Sequence, residues 1–167
     1  MTEPPRVPFN RDAYQQLIRR ACFICELLAD NPDYRHHVIH RDDHAIAFLN
    51  KTPSHWGHVL VAPVTHREHA VDDFALDDYL ALQRVIHAAG QALTATVTIE
   101  RLYVLSLGSQ QGNRHVHWHL APLPRGVPYD DQQLTALSFD RGYLDVPDHD
   151  MAALADALRR RVAQILG

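Results

Sequence analysis

The stretch His115-Val116-His117-Trp118-His119-Leu120-Ala121 places a histidine at every second position, with an apolar residue between each pair. In a β-strand, successive side chains point to opposite faces, so the three imidazoles would share one face and the apolar residues the other. Burial of the apolar face explains half of this pattern. Three neighbouring imidazoles add little to a hydrophobic core, so we expect the histidine face to line a cleft and carry chemistry.

Two kinds of chemistry suit this histidine row. Two alternate histidines with a third ligand from elsewhere can hold a catalytic zinc, and a neutral imidazole can instead attack phosphorus and form a covalent intermediate. Neighbouring Cα atoms on one face of a strand are about 6.6 Å apart, so two imidazoles can converge on one ion but three cannot easily do so. At least one histidine must therefore have another role, and the spacing alone leaves both chemistries open.

The cysteines are arranged as Cys22-Phe23-Ile24-Cys25, and the chain has no others. This spacing supplies half of a tetrahedral Cys2His2 metal site, whose other ligands would come from the 13 histidines. The alternative is a dithiol redox motif, which normally follows a strand and opens a helix. Here a helical pattern precedes the pair, which favours a metal site over a redox site, with inert buried thiols as the remaining alternative.

Hydrophobic periodicity around the histidine row predicts an α+β fold with a mainly antiparallel five-stranded sheet, a long packing helix and a C-terminal helix. The predicted strands are 38–39, 44–49, 57–62, 99–107 and 115–121. The predicted helices are 12–21, 77–93 and 148–166. We expect Pro122 and Pro124 to end the fifth strand, and residues 122–148 to form a long ordered loop or short helical turns.

The chain organisation predicted from these patterns has one domain and two flanking segments. Residues 1–10, which contain Pro4, Pro5 and Pro8, are expected to be a mobile lead-in. Residues 11–122 form the domain, and residues 123–167 form a C-terminal extension whose terminal helix packs on the domain. A chain of 167 residues is long enough to bury one sizeable core.

Composition limits the possible partners. With 16 Lys+Arg against 20 Asp+Glu, the formal charge is -4, which argues against bulk electrostatic binding to nucleic acid. The longest apolar runs, such as 59–64, are far shorter than the roughly 20 residues of a membrane-spanning helix. We therefore expect no membrane partner and a cytoplasmic location, where the two thiols would stay reduced.

The histidine row resembles the signature of the histidine triad (HIT) family of nucleotide hydrolases and transferases. The resemblance extends over about residues 20–122 and includes three further blocks, which are Cys22-x-x-Cys25, Asp42-Asp43-His44-Ala-Ile-Ala-Phe-Leu-Asn50 and Gly57-His-Val-Leu-Val-Ala-Pro-Val-Thr-His66. Within this family, the sequence is similar to the zinc-containing bacterial members and to diadenosine polyphosphate hydrolases. The resemblance implies a HIT-like fold and a homodimer.

Family roles carried to matching positions make His117 the nucleophile that attacks the α-phosphorus of a nucleotide, forming a nucleotidyl-histidine. His119 would contact the phosphate or the leaving group, and a main-chain carbonyl near His115 would hold the other ring nitrogen of His117. In zinc-containing members the metal ligands correspond to Cys22, Cys25, His66 and His115. Such a closed zinc would be structural, because four protein ligands leave no position for an activated water.

The expected substrate contacts rest on weaker matches. Asn50 stands where the family usually has an aspartate that binds the ribose hydroxyls, and an amide can still donate and accept there. Phe48 is a candidate wall for the base, although an apolar strand residue is more often core. The loop 106–114 is shorter than the commoner family pattern, yet Ser109, Gln111 and Asn113 can still cradle a phosphate together with nearby backbone amides.

The resemblance thus predicts hydrolysis or nucleotidyl transfer at the α-phosphate of a purine dinucleoside polyphosphate, such as diadenosine tetraphosphate. The same nucleophile would serve an adenosine phosphoramidate hydrolase or a dinucleoside polyphosphate phosphorylase. Two further alternatives are a nucleotide-binding protein with little activity and a metallohydrolase that uses the triad to hold a catalytic zinc.

Overall fold

The computed structural model describes residues 4–167 and contains a five-stranded antiparallel sheet with helices on both faces. In chain order the elements are β1 (Arg6–Val7), α1 (Arg11–Ile18), α2 (Phe23–Leu28), β2 (Val38–Arg41), β3 (Ala45–Leu49), β4 (Val59–Pro63), α3 (Leu76–Thr96), β5 (Arg101–Ser106), β6 (Trp118–Leu123), β7 (Tyr143–Leu144) and α4 (Asp148–Leu166). Short 3₁₀ turns lie at Pro32–Tyr34, Tyr129–Asp131, Thr135–Leu137 and Phe139–Arg141.

The sheet has the strand order β2-β3-β4-β6-β5, and every neighbouring pair is antiparallel. This confirms the predicted fold class, including the long helix and the C-terminal helix. β6 lies between β4 and β5, so the histidine-bearing strand sits inside the sheet, where two neighbours hold its backbone. His119 is directly opposite Leu60 of β4 and Leu105 of β5.

Strands β3 and β4 are buried on both faces, which explains why they are apolar at nearly every position. One face packs against α3 and α4 in the larger core, which includes Val61, Trp118 and Leu120. The other face packs against Ile24 and Leu27 of α2. As expected from the alternation, Val116, Trp118 and Leu120 all belong to the larger core, so the histidines between them point the other way.

The observed strand bounds differ from the prediction around the histidine row. β6 begins only at Trp118, because pairing with β4 starts at the Val61–Trp118 pair, while the Val116 amide donates to the Arg67 carbonyl at 2.7 Å. β6 also continues through Pro122 to Leu123, so the expectation that Pro122 ends the strand was wrong. Pro122 lies beyond the pairing with β4 and has only β5 as a neighbour, the setting in which a strand tolerates proline.

The N-terminal segment pairs with a short strand that precedes α4. β1 pairs antiparallel with β7, which places Arg6 opposite Leu144, and the Asp145 amide donates to the Pro5 carbonyl at 2.8 Å. Residues 6–7 of the predicted lead-in are therefore paired as a strand, and residues 1–3 lie outside the described residues. The segment 122–148 contains short 3₁₀ turns, as expected for one of its two predicted forms, and α4 then contacts α3 and β2.

Within residues 4–167, no helix is both long enough and apolar enough to cross a membrane.

Candidate active site and metal centre

Four residues predicted as metal ligands come together beside the sheet. The thiols of Cys22 and Cys25, and one ring nitrogen each of His66 and His115, all lie within 4.8 Å of one another. Cys22 Sγ and Cys25 Sγ are each 3.5 Å from His115 Nδ1, and Cys25 Sγ is 3.2 Å from His66 Nδ1. These residues come from three distant parts of the chain, and together they could hold a metal ion.

Hydrogen bonds set the tautomers of both histidines. His115 Nε2 lies 2.9 Å from the Pro63 carbonyl, and His66 Nε2 lies 3.3 Å from the Glu68 carboxylate. Both oxygens can only accept, so Nε2 carries the hydrogen and the Nδ1 lone pair of each ring faces the thiols. Metal-binding histidines are oriented in this way by a carbonyl or carboxylate on the other ring nitrogen.

The donor set and its spacing fit a tetrahedral ion. Bonds of about 2.3 Å to sulfur and 2.0–2.1 Å to nitrogen at tetrahedral angles place sulfur and nitrogen about 3.5 Å apart. Burial, followed by the neighbouring Cys22, raises the pKa of Cys25 to about 12, so the Cys25 thiol needs a nearby cation to become a thiolate. Cys22 Sγ also accepts from the Cys25 amide at 3.4 Å, which caps α2 and holds the two thiols together.

His117 is buried next to this cluster and has one ring nitrogen bound. Its Nδ1–H donates to the His115 carbonyl at 2.8 Å, the partner expected from the resemblance. The Nε2 lone pair is therefore the free nucleophilic position. Burial lowers the pKa of His117 below its usual value, which keeps the ring neutral near pH 7.

His119 takes part in a buried hydrogen-bonded series that sequence reasoning missed. Its Nδ1 is 3.0 Å from His58 Nε2, and His58 Nδ1 is 3.2 Å from Ser54 Oγ. Ser54 Oγ lies at the same distance, 3.2 Å, from His55 Nδ1. Burial lowers the pKa of His119 to about 3 and that of His58 well below its usual value, so this series is neutral near pH 7.

The alternation of residues that leads into β4 indicates the position of His58. His58 precedes Leu60 by two residues, and Leu60 faces His119 across the sheet. Residues two apart on an extended chain share a face, so His58 is expected to face the same side as the histidine row. Histidines that packing alone would not require on such a face are candidates for a role at the site.

Both His117 and His119 open into one cavity of about 730 Å³. Of the predicted substrate contacts, Asn50, Ser109 and Asn113 line this cavity. Asn50 Oδ1 accepts from the Thr52 amide at 3.1 Å, which orients its side chain. Gln111 is exposed and is not among the lining residues.

Phe48 is fully buried in the core behind the cavity. Its ring makes edge contacts with Phe23 and His36, at centroid distances of 6.2 and 4.9 Å, and those two residues line the cavity in its place. Phe23 also contacts the His117 ring edge-on at 5.9 Å. The structure thus places Phe48 as support for an aromatic wall, and the wall itself consists of residues that no sequence pattern singled out.

Comparison with known proteins identifies the family of this chain. A model of the HIT domain family matches residues 31–125. This chain belongs to the HIT domain family. Cys22 and Cys25 lie before the matched region, so half of the metal cluster comes from outside the family's shared segment.

Among curated relatives, an uncharacterized HIT-like protein, MG132 of Mycoplasma genitalium, is 31% identical over 132 residues, covering 74% of this chain and 89% of the relative. An uncharacterized 16.1 kDa HIT-like protein of Mycoplasma pneumoniae is 26% identical over 114 residues, covering 66% of this chain and 76% of the relative.

Solved HIT structures share the fold at low sequence identity. A hypothetical histidine triad nucleotide-binding protein, ST2152 of Sulfolobus tokodaii, superposes with a TM-score of 0.67 at 20% identity, covering 86% of this chain and 93% of that one. A Zn-bound histidine triad family protein of Mycobacterium smegmatis has a TM-score of 0.65 at 21% identity, covering 87% and 95%. These likenesses concern the fold.

Proposed function

We propose that this protein is a nucleotide hydrolase or nucleotidyl transferase that acts at the α-phosphate through a nucleotidyl-histidine on His117. The observation that carries the proposal is the hydrogen bond from His117 Nδ1 to the His115 carbonyl, which leaves Nε2 free at the cavity. His119 stands beside it, with a ring-centroid distance of 4.9 Å. A neutral imidazole in this state is a competent nucleophile.

The reaction has two displacements. In the first, the Nε2 lone pair of His117 forms a bond to the α-phosphorus, and the bond from phosphorus to the leaving group breaks. The leaving group departs with that electron pair and takes a proton from solvent, while the neutral His119 ring assists as a hydrogen-bonding partner. In the second, water attacks the same phosphorus and loses one proton to solvent, the electron pair of the nitrogen–phosphorus bond returns to His117 Nε2, and the nucleoside monophosphate is released. Two displacements replace one difficult hydrolysis.

A purine dinucleoside polyphosphate, such as diadenosine tetraphosphate, is the substrate predicted first from the resemblance. In this proposal Asn50 binds a ribose, and Ser109 and Asn113 contact a phosphate, which the position of all three on the cavity lining supports. One observation favours an adenosine phosphoramidate as the second candidate. Apart from histidines, the basic side chains lining the cavity are Arg20 and Lys51, a modest positive charge for a long polyphosphate.

We assign the bound metal as zinc in a structural role. The two thiols and two imidazoles suit zinc, and a shell of four protein ligands leaves no open position for catalysis. When bound, the ion would supply a fixed link between α2, the end of β4 and the backbone that leads into β6. His117 and His119 are not members of the ligand cluster, which argues against the catalytic-zinc alternative.

The proposed assembly is a homodimer. β5 is an edge strand of the sheet, and Val104 on it is 50% exposed. A second β5 could pair with this edge and cover the apolar side chain. Cytoplasmic location remains the expectation from the sequence.

The proposal is tested by replacing His117 with Asn. Wild-type protein and the variant are incubated with diadenosine tetraphosphate and with adenosine 5′-phosphoramidate, then quenched in base, and the protein is examined by mass spectrometry for an added nucleoside monophosphate. We expect the wild type to turn over at least one substrate and form the adduct, and the variant to lose both. His149→Asn, an exposed position on α4, is the matched control. Wild-type rates in the His117 variant would rule out the nucleophile.

Chelation separates the two metal roles. If zinc were catalytic, removing it would stop turnover before the protein loses stability. For a structural zinc, we expect the loss of activity to follow the loss of folded protein.

A further inference from the structure

Two separate aromatic clusters line the same cavity. The first, near His117, consists of Phe23 and His36 with Phe48 behind them. The second, which we call the outer cluster, consists of Phe9, Tyr14, Phe139 and Tyr143. Phe9 and Phe139 are stacked with centroids 4.1 Å apart, and Tyr14 and Tyr143 meet Phe9 edge-on.

The outer cluster adjoins the phosphate loop. The Asn113 amide of that loop donates to the Tyr14 hydroxyl. A Cβ at Gly112 would collide with the Ile18 side chain, so the loop and α1 are packed as closely as their backbones allow. The outer cluster therefore borders the phosphate site on the side of α1, while Phe23 and His36 form the wall next to His117.

The outer cluster is built from parts of the chain outside the matched HIT region. Phe9 and Tyr14 come from the N-terminal segment, Phe139 from the turn at Phe139–Arg141 and Tyr143 from β7, and all of them lie outside residues 31–125. Three further contacts hold these two segments to each other, namely the pairing of β1 with β7, the ion pair of Arg11 with Asp140, and the hydrogen bond from the Asp145 amide to the Pro5 carbonyl. The outer cluster is thus a fixed part of the fold.

The outer cluster and its surroundings remain partly open to solvent. Phe139 is 46% exposed and Leu17, which also lines the cavity, is 49% exposed. If these aromatic rings served only to join the N-terminal segment to residues 139–143, complete burial would stabilise the fold most. Open aromatic faces next to a phosphate site instead offer a stacking surface.

We infer that the outer cluster is a binding subsite for an aromatic ring in the leaving group, with Phe139 and Tyr14 as its specificity-determining residues. The inference rests on the proposed function, because it assumes that a nucleotidyl group sits between His117 and the phosphate loop. The first nucleobase occupies the wall of Phe23 and His36, and the ring beyond the scissile bond stacks in the outer cluster. That ring is either the second base of a dinucleoside polyphosphate or the ring of an aromatic amine in a phosphoramidate.

The test compares two pairs of substrates in which only one member of each pair carries an aromatic ring beyond the scissile bond. One pair is diadenosine tetraphosphate and adenosine 5′-tetraphosphate. The other is adenosine 5′-(N-phenethyl)phosphoramidate and the unsubstituted adenosine 5′-phosphoramidate. We expect wild-type protein to prefer the ring-bearing member in at least one pair by tenfold or more in kcat/KM, which corresponds to about 1.4 kcal/mol. The pair that shows the preference identifies the source of the ring.

The preference should depend on the outer cluster. In Phe139→Ala we expect the ratio of kcat/KM values within that pair to fall to near one. Phe139→Leu retains bulk but not the ring, so it tests stacking if the Ala variant is unstable, and we expect it to lose most of the preference. Tyr129→Ala is the matched control, since Tyr129 lies in the same extension, is 76% exposed and does not line the cavity.

The outcomes distinguish the two proposals. Absence of turnover with all four compounds and of any adduct would overturn the proposed function. Turnover with no ring preference in either pair, or a preference unchanged in both Phe139 variants, would overturn the subsite and leave the proposed function standing.

Discussion

The His115 carbonyl accepts the hydrogen bond from His117 Nδ1 at 2.8 Å, while the His115 ring presents its own Nδ1 to Cys22 and Cys25 at 3.5 Å. One residue therefore links the metal cluster to the proposed nucleophile, with its side chain serving one and its backbone the other. Any movement of His115 would change the orientation of His117, so metal binding and the geometry of the nucleophile are expected to be coupled.

Replacing Cys22 with Ser should disrupt the metal centre without unfolding α2. Serine still caps the helix, but it supplies no thiolate. We expect the apparent zinc affinity to fall by more than about 100-fold, beyond the 10–100-fold typical of changes to partners of the ligands. Metal content by mass spectrometry and the melting temperature, with and without zinc, measure the effect.

His69→Ala is the control for that variant, because His69 is an exposed histidine near His66 that is not a member of the cluster. Equal zinc content in the wild type, Cys22→Ser and His69→Ala proteins would contradict the assignment of the ligands.

His58 is expected to act as a positioning residue for His119. In His58→Ala, His119 loses the partner at its Nδ1, and we expect kcat to fall by about 100-fold, the lower end of what acid–base assistance contributes. KM should change less than kcat, because His58 is buried and exposes little of its own surface to the cavity. Water admitted by the smaller side chain should reduce the burial that lowers the pKa of His119, so the acid limb of the kcat profile should move to higher pH.

His58→Gln keeps a polar group near the position of Nε2, and we expect it to recover part of the activity. A kcat and an acid limb that match the wild type in His58→Ala would show that the contact has no role in the reaction.

Folding stability should fall as the solution becomes acidic. Burial lowers the pKa values of His36 and His55 to about 4, whereas an unfolded histidine titrates near 6.5. Between these values the unfolded chain binds protons that the folded chain does not, so the stabilisation is present above pH 6.5 and is lost as pH falls toward 4. For buried His55, we expect a contribution on the order of 1–3 kcal/mol. Urea unfolding at several pH values measures it.

His55→Gln removes one of these titrating groups, so the slope of stability against pH should become shallower in this variant. A slope identical to that of the wild type over pH 4–6.5 would contradict the expected contribution of His55.

Gly142 is expected to be essential for the pairing of β1 with β7. Its φ of +70° disfavours other residues, and a Cβ there would collide with the Val7 carbonyl of β1. Gly142→Ala should therefore separate β1 from β7 at a cost of about 1–3 kcal/mol. Hydrogen exchange should show faster exchange of the Asp145 amide, which donates to the Pro5 carbonyl, with the central sheet unaffected.

Gly126→Ala provides the comparison, since Gly126 has a similar φ of +82° but nothing within 4 Å of an added Cβ. Equal destabilisation by the two substitutions would mean that backbone conformation alone, and not the contact with Val7, explains the effect.

The sequence predicted the parts of this protein that depend on local pattern. Alternation of His115, His117 and His119 with apolar residues predicted opposite faces, and the structure confirms that Val116, Trp118 and Leu120 enter the core. The apolar stripe of α3 and the runs of β3 and β4 predicted the α+β fold, because burial of one stripe or of both strand faces leaves a periodic trace in the residues.

Only the tertiary structure decided which separate segments meet. The series from His119 through His58 to Ser54, the placement of Phe48 behind Phe23, and the outer cluster of Phe9, Tyr14, Phe139 and Tyr143 all join residues far apart in the chain. Alternation indicates which face His58 occupies, but no local periodicity encodes its partner or the other contacts, since these depend on which distant segments the fold brings together. The sequence by itself determined the histidine row and the fold around it. The tertiary packing of distant segments determined which side chains surround that row.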